Sequence, residues 1–311
     1  MASTSTILHG VPLSQPFRSV AWALLLHNMP FQCQLTIPGA SSKMGTMHES
    51  YKAKTNGRST KVPLLTGNFT FSKDSSSSTS VTIGESPAIL TFICDYHATV
   101  NGTVSPFYAP PTSLRKSTVD WYMHWHHLGL RPYMAKLIEP HLRSDLVHDT
   151  SPSAIVDIRS KAHSALEQLD RSWYTPTSTS DSSSISNPTI FLGGETSPSI
   201  ADLLAFEEVI QVTSTGLLLE SPIDRHDEAM SRTDHLLQNK FPNVFQWIQG
   251  MKSLPFYDHV HVPIHILGNL SPYSVPAVSK DEIVLRQKQM QKLLGIATKE
   301  GMKTLIEAQI R

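Results

Sequence analysis

Leu13-Ser14-Gln15-Pro16-Phe17-Arg18 is the stretch on which the reading of this chain turns. Thr6-Ile7-Leu8-His9 before it has the character of a short β-strand, and Val20 to Leu26 after it that of a helix. Ser14 therefore falls in a strand-to-helix turn. Its hydroxyl has two uses there: capping the helix, for which serine is well suited, or pointing at a ligand docked where free N–H groups and the helix dipole favour anions. Outward from this turn, Phe31 to Ile37 alternates apolar and polar with period two, as a half-buried strand does. Residues 6–37 thus read β-α-β, ended by Pro38 and Gly39.

Residues 39–60 are polar, with at most one helical turn around His48 to Lys52. Lys61-Val62-Pro63-Leu64-Leu65 is a short apolar run whose proline either begins a strand or makes a cis bend. Val81-Thr82-Ile83 is another strand. Between them Lys73 to Ser80 is a low-complexity, serine-rich loop. Ser86-Pro87 then opens an apolar helix over Ala88 to Tyr96, with serine at the cap and proline in the first turn. Residues 98–113 carry three prolines and read as a linker. Beyond it the pattern is helical: residues 113–173, a second serine-rich loop at Ser178 to Ser186, a capped helix from Ser199-Ile200-Ala201-Asp202, and a helix from Phe241-Pro242-Asn243-Val244 carrying Trp247. His259 and His261 flank Val260 with a strand's spacing, and Pro263 argues against a helix there. Asp281 to Arg311 is charged and helical, its apolar stripe of Leu285, Met290, Leu293, Leu294, Leu305 and Ile306 broken at Gly295 and Gly301.

The composition excludes several classes. Of 311 residues, 40% are hydrophobic, enough for a real core. Twenty-six basic residues balance 26 acidic ones, so nothing points to nucleic acid or an anionic membrane. No apolar run reaches the ~20 residues that span a bilayer, and Met1 to Thr6 lacks the basic start of a secretory signal. Cys33 and Cys94 form no disulfide framework, which fits a reducing, cytoplasmic setting, and both read as small buried hydrophobes. His124 and His127 share a helix face, but no acid or cysteine nearby completes a ligand set, so no metal is expected.

Three features of the first hundred residues belong together. Ser14 sits at a strand-to-helix turn. A cis bend at Lys61-Val62-Pro63 would leave the Val62 backbone open to an extended peptide. Glu85-Ser86 opens a helix, where the helix start suits a carboxylate and the acid an ammonium. Glu85 and Ser86 together would hold the two charges of one amino-acid group, as in a peptide with a free γ-glutamyl end.

The order and spacing of these three motifs resemble the cytosolic glutathione transferases, and within them the theta class. In that class Ser-Gln-Pro follows the first strand, Lys-Val-Pro precedes the third, and Glu-Ser opens the third helix. His124-Trp125-His126-His127-Leu128-Gly129-Leu130-Arg131-Pro132 is similar to the Trp-x-His-x-x-Leu-Arg stretch of theta enzymes, and the helices at Ser199 and Asn243 are similar to the family's. The departures are the serine tracts, Asn56-Gly57 in place of the usual Asn-Pro, a longer loop from Gly39 to Met47, and the tail.

The resemblance covers roughly residues 6–268. It implies an α/β plus all-α architecture. A thioredoxin-like βαβ-ββα domain at 1–98 leads through a linker at 99–113 to an all-helical domain at 114–275 that walls the electrophile pocket. The helical extension at 276–311 lies beyond the resemblance and has two readings: a solvated helix that frays at its end, or a cover docked on the helical domain, as the extra C-terminal helices of theta enzymes cover the active site. The resemblance further implies a cytoplasmic homodimer that activates glutathione as a thiolate and conjugates it to small apolar electrophiles, with hydroperoxide reduction or dehalogenation as side activities. Ser14 matches the catalytic serine, Arg131 an arginine near the sulfur, Lys61 and Val62 the contacts to the peptide backbone, Glu85 and Ser86 those to the γ-glutamyl end, and His48 the contact to the glycine carboxylate. Glutathione is the co-substrate, and no metal takes part. The alternative is a glutathione-transferase fold kept as a non-catalytic binding or scaffold module. A serine hydrolase built on Ser14 would need a Gly-x-Ser-x-Gly elbow, which the sequence lacks.

Overall fold

A computed structural model describes residues 6–71, 77–109, 113–142, 152–174, 191–193, 195–274 and 279–310. Half of the first serine-rich loop and all of the second lie outside the described residues. Two compact units emerge. The first comprises Met1–Lys116, Pro255–Pro263 and Thr298–Arg311; the second comprises Ser117–Leu254 and Ile264–Ala297.

The first unit begins β1 (Ile7–Gly10), α1 (Gln15–Leu26), β2 (Gln32–Leu35), α2 (Glu49–Lys54), β3 (Leu64–Phe69), β4 (Thr79–Gly84) and α3 (Ser86–Asn101). Its four strands lie in the order β2-β1-β3-β4. β1 runs parallel to β2, as a βαβ crossover requires, and antiparallel to β3, which is antiparallel to β4. This is the thioredoxin-like arrangement. α1 and α3 pack on one another and on the sheet, and Phe17, Val20, Leu24, Ile89, Leu90 and Ile93 are buried almost completely; the equally buried Trp22 instead meets Pro255, Tyr257 and His261. α3 runs past the expected end at Tyr96 because no breaker intervenes before Gly102, whose φ of +72° stops it. Gly57, where the family pattern has proline, has φ +72°, a value that proline's ring forbids.

The helices that follow are α4 (Leu114–Gly129), α5 (Arg131–Leu142), α6 (Pro152–Gln168, continuing into a π-turn at Leu169–Trp173), α7 (Ile200–Thr213), α8 (His226–Lys240), α9 (Pro242–Lys252), α10 (Tyr257–Leu267) and α11 (Lys280–Ala308). None of the described helices is long and apolar enough to cross a membrane. The second unit is built around α7, all fourteen residues of which are buried, including Asp202, Glu207 and Glu208. A helix buried on every face is central to its unit. Its start is the expected capping box. Ser199 Oγ accepts from the Asp202 N–H, and Asp202 Oδ2 accepts from the Ser199 N–H at 2.8 Å. The same carboxylate does more. Oδ1 accepts from the Leu192 N–H at 2.9 Å and from Trp247 Nε1 at 3.0 Å, tying the loop before α7 and the core of α9 to one side chain.

The strand-like spacing of His259 and His261 is overturned: both lie in α10. A helical proline leaves the carbonyl four residues back without a donor, and for Pro263 that carbonyl is His259 O. The hydroxyl of Thr304 donates to it at 2.9 Å. His261 is fully buried, its Nδ1 bonded to Tyr257 O at 2.8 Å and its ring stacked on Tyr257. Gly295 and Gly301 do not break the last helix, which runs unbroken through both.

Asp202→Ala is expected to destabilise the protein by about 3–5 kcal/mol, since one N-cap is worth ~1 kcal/mol and each stranded buried donor ~1–3 kcal/mol. Urea denaturation followed by tryptophan fluorescence measures it. A change below 1 kcal/mol would mean that water replaces the carboxylate.

Candidate functional site

The register of the sheet assembles the site. Leu64, the first residue of β3, pairs with His9 near the end of β1 and with Gly84 at the end of β4. The β1–α1 turn, the approach to β3 and the β4–α3 turn therefore open at one end of the sheet. These segments carry Ser14, Lys61-Val62 and Glu85-Ser86.

Ser14 is the N-cap residue of α1, yet its side chain makes no cap hydrogen bond. The turn is held by backbone instead, from Ser14 N–H to Val11 O at 2.9 Å and from Arg18 N–H to Ser14 O at 3.0 Å. The buried Arg18 guanidinium grips the Pro12 carbonyl at 3.1 Å. Ser14 is half-buried, and its hydroxyl is uncommitted among the described residues. The capping use is not made here.

The Val62–Pro63 peptide bond is cis. Among the described residues no backbone hydrogen bond engages Val62, whose neighbours are fixed on both sides: the Lys61 N–H bonds Ser59 Oγ at 3.1 Å, and Tyr51 Oη donates to Lys61 O. Tyr51 also meets the ring of His9, and burial together with the charge of Glu85 pushes its hydroxyl up to about 12. The tyrosine is thus a fixed donor. Sequence patterning had no signal for it beyond a lone aromatic in a polar stretch. His9 is itself buried, bonded to Thr66 Oγ1 at 3.0 Å, and held neutral at about 4 by burial and by Lys54.

Glu85 is the N-cap residue of α3 with φ +64°, a backbone state that favours glycine. An acid held in that state at a helix start is the kind of outlier that marks a functional position. Its carboxylate is exposed, whereas Ser86 beside it is buried. His48 caps α2, its Nδ1 accepting from the Ser50 N–H at 3.2 Å, and its carbonyl accepts from the Tyr51 N–H. His48 thus lies one turn from the tyrosine that anchors Lys61.

The fold matches solved structures. The chain superposes on poplar glutathione transferase F1 with a TM-score of 0.56 at 21% identity, covering 83% of this chain and 97% of that one. A single-residue mutant of human glutathione-S-transferase T1-1 in its apo form gives 0.56 at 19% identity, covering 94% of this chain and all of that one. A glutathione S-transferase from Pseudomonas fluorescens gives 0.55 at 19% identity, with 83% and 98% covered. The chain has the glutathione-transferase fold. No family model and no curated protein matches its sequence.

Within this fold, Arg131 belongs to the second unit, at the start of α5. Its guanidinium is in close contact with Glu208 of α7, a fully buried carboxylate that spacing alone could not have paired with it. His126, also fully buried, stands 3.7 Å from the same carboxylate, a contact rather than a hydrogen bond. Burial alone would raise the Glu208 carboxyl; the charge of Arg131 outweighs it and holds the group below its usual range. Burial keeps His126 neutral. Arg131 is thus first of all the counter-ion of Glu208, with its side chain 31% exposed. Cys33 and Cys94 are free thiols that burial pushes up to about 12, too high for nucleophiles. No group of three or more metal-ligating side chains occurs among the described residues.

Arg131→Met should reverse the acid response of the second unit. With Arg131 present the Glu208 pKa is depressed, so its contribution to stability holds above the usual carboxylate range and is lost as pH falls. Without it burial raises the carboxyl, and stability falls as pH rises through that raised value. Losing one partner of a buried pair costs about 3–5 kcal/mol. Thermal melts of both proteins between pH 4 and 8 check this, and parallel curves would refute it.

Proposed function

We propose that this chain is a theta-like glutathione transferase, acting as a cytoplasmic homodimer that conjugates glutathione to small apolar electrophiles. The observation that carries the reading is the convergence of three uncommitted groups at one end of the sheet: the Ser14 hydroxyl, the Val62 backbone and the Glu85–Ser86 helix start. They match the three parts of a γ-glutamyl tripeptide thiol. Glu85 takes the ammonium and the start of α3 with Ser86 the α-carboxylate. Val62 pairs with the cysteinyl backbone as an added strand. Lys61 and His48 approach the glycine end. The cysteinyl sulfur then falls to Ser14.

Ser14 Oγ–H donates to that sulfur. A free thiol with a pKa near ~8.5 is mostly protonated at neutral pH. A hydrogen bond to the charged form lowers that value, and a shift of about two units is worth roughly 2.7 kcal/mol. The thiol proton leaves to solvent, the sulfur lone pair forms a bond to the electrophilic carbon, and the leaving group departs with its bonding pair. Arg131, braced by Glu208, is the second proposed candidate for stabilising the thiolate.

The test is retention on immobilised glutathione combined with turnover of a chromogenic electrophile. Retention without turnover would make the chain a binding module; neither would end the reading. Ser14→Ala should lower turnover by roughly ten- to a thousandfold, the range for losing one transition-state donor, and leave glutathione affinity little changed. Intact activity would remove Ser14 from the mechanism.

Glu85→Gly should separate stability from binding. It releases the strained φ, worth about 1 kcal/mol in favour of the fold. It also removes a charge-assisted contact worth about 1.5–3 kcal/mol, roughly ten- to a hundredfold in Kd. Calorimetry showing unchanged glutathione affinity would rule out this pose.

A further inference from the structure

The last turns of α11 close directly on the loop that presents Ser14. A Cβ placed on Gly301 would lie 2.4 Å from Pro263 Cγ and 2.8 Å from Pro12 Cβ, so two proline rings meet the bare backbone of the helix. Neither ring can swing aside as a flexible side chain would. Pro12 lies two residues before Ser14. Its ring faces Gly301, while its carbonyl is gripped by the buried Arg18. The helix is fixed in this place by two directional contacts: Thr304 Oγ1 to the His259 carbonyl that Pro263 leaves without a donor, and Gln309 Oε1 accepting from the Phe31 N–H at 2.8 Å. Leu305 and Ala308 are buried.

We propose that Gly301 is a positioning residue for Ser14: α11 is the back-stop of the β1–α1 loop, and only glycine lets it approach closely enough to set the loop. This rests on the reading of Ser14 as the group that contacts the sulfur. It assigns the tail a different task from covering a pocket. The distance from Ser14 Oγ to the sulfur is set by where Pro12 stops, and reacting groups tolerate displacements of well under ~1 Å. Gly295, in the same helix, has nothing within 4 Å of its added Cβ and is the natural control.

The experiment compares the full-length protein with Gly301→Ala, Thr304→Val and Gly295→Ala. Thr304→Val loosens the same docking without adding bulk, in case Gly301→Ala does not fold. Hydrogen exchange at the Ser14 amide, which is bonded to Val11 O, is read without ligand. The pH profile of glutathione turnover is read beside it. Gly301→Ala and Thr304→Val should each speed Ser14 exchange at least tenfold over Gly295→Ala and move the profile about one unit to higher pH, because a displaced hydroxyl no longer lowers the thiol pKa. A purely structural role would lower the melting temperature and leave the pH profile in place. Exchange at Ser14 equal to that of Gly295→Ala overturns the proposal, as does faster exchange with an unmoved profile in an active enzyme. If the wild type turns nothing over while exchange responds as expected, the proposed reaction falls and the positioning of Ser14 by Gly301 stands.

Discussion

Leu64 pairs on both sides at once, with His9 across β1 and with Gly84 across β4, and the site depends on that double register. A one-residue slip on either side would move each turn along the sheet and invert which side chains face the core. The register is specified by what lies under it: Leu64, Leu65 and Phe69 are essentially inaccessible, so any slip would expose them or bury polar neighbours. Full burial of a leucine or phenylalanine is worth about 1.5–3 kcal/mol. The packing of α1 and α3 thereby fixes where Ser14, Val62 and Glu85 stand relative to one another, although none of the three belongs to the core.

The two units handle buried charge in different ways. In the first, Arg18 is buried as a clamp on a carbonyl, and His9 is buried by remaining neutral. In the second, Asp202 and Glu208 lie a little under two turns apart on the fully buried α7 and meet opposite fates. Burial wins at Asp202 and raises its carboxyl despite four hydrogen bonds, whereas the Arg131 charge wins at Glu208 and lowers it. The difference is the presence of a full opposing charge, which a set of neutral donors does not match in a poorly solvated interior.

Much of this was legible from residue order. The strand-to-helix turn at Ser14, the bend at Pro63, the start of α3 and the capping box of α7 each depend on a few adjacent residues, and local chemistry identified them. What was not legible depends on residues distant in the chain. Pro263 argued against a helix only because its remedy, Thr304, lies 41 residues later. Gly301 read as a weak point because the two rings it accommodates come from Pro12 and Pro263. Tyr51 and Glu208 carried no pattern at all, since each gains its meaning from one partner that the fold supplies. At Glu85 the sequence was informative about chemistry and silent about strain, because nothing local announces a positive φ on an acid.

The first unit is assembled from three separated segments, with Pro255–Pro263 and Thr298–Arg311 added to the first 116 residues. During synthesis from the N-terminus, the sheet, α1 and α3 can pair as soon as they emerge, because all their mutual contacts lie within the first 101 residues. The amide of Phe31, the ring of Pro12 and the carbonyl of His259 must wait for α11, which follows the whole helical unit. Domains generally fold in order of their appearance. This one starts first and finishes last, so throughout elongation the nascent chain carries a sheet domain still lacking the contacts that α11 supplies.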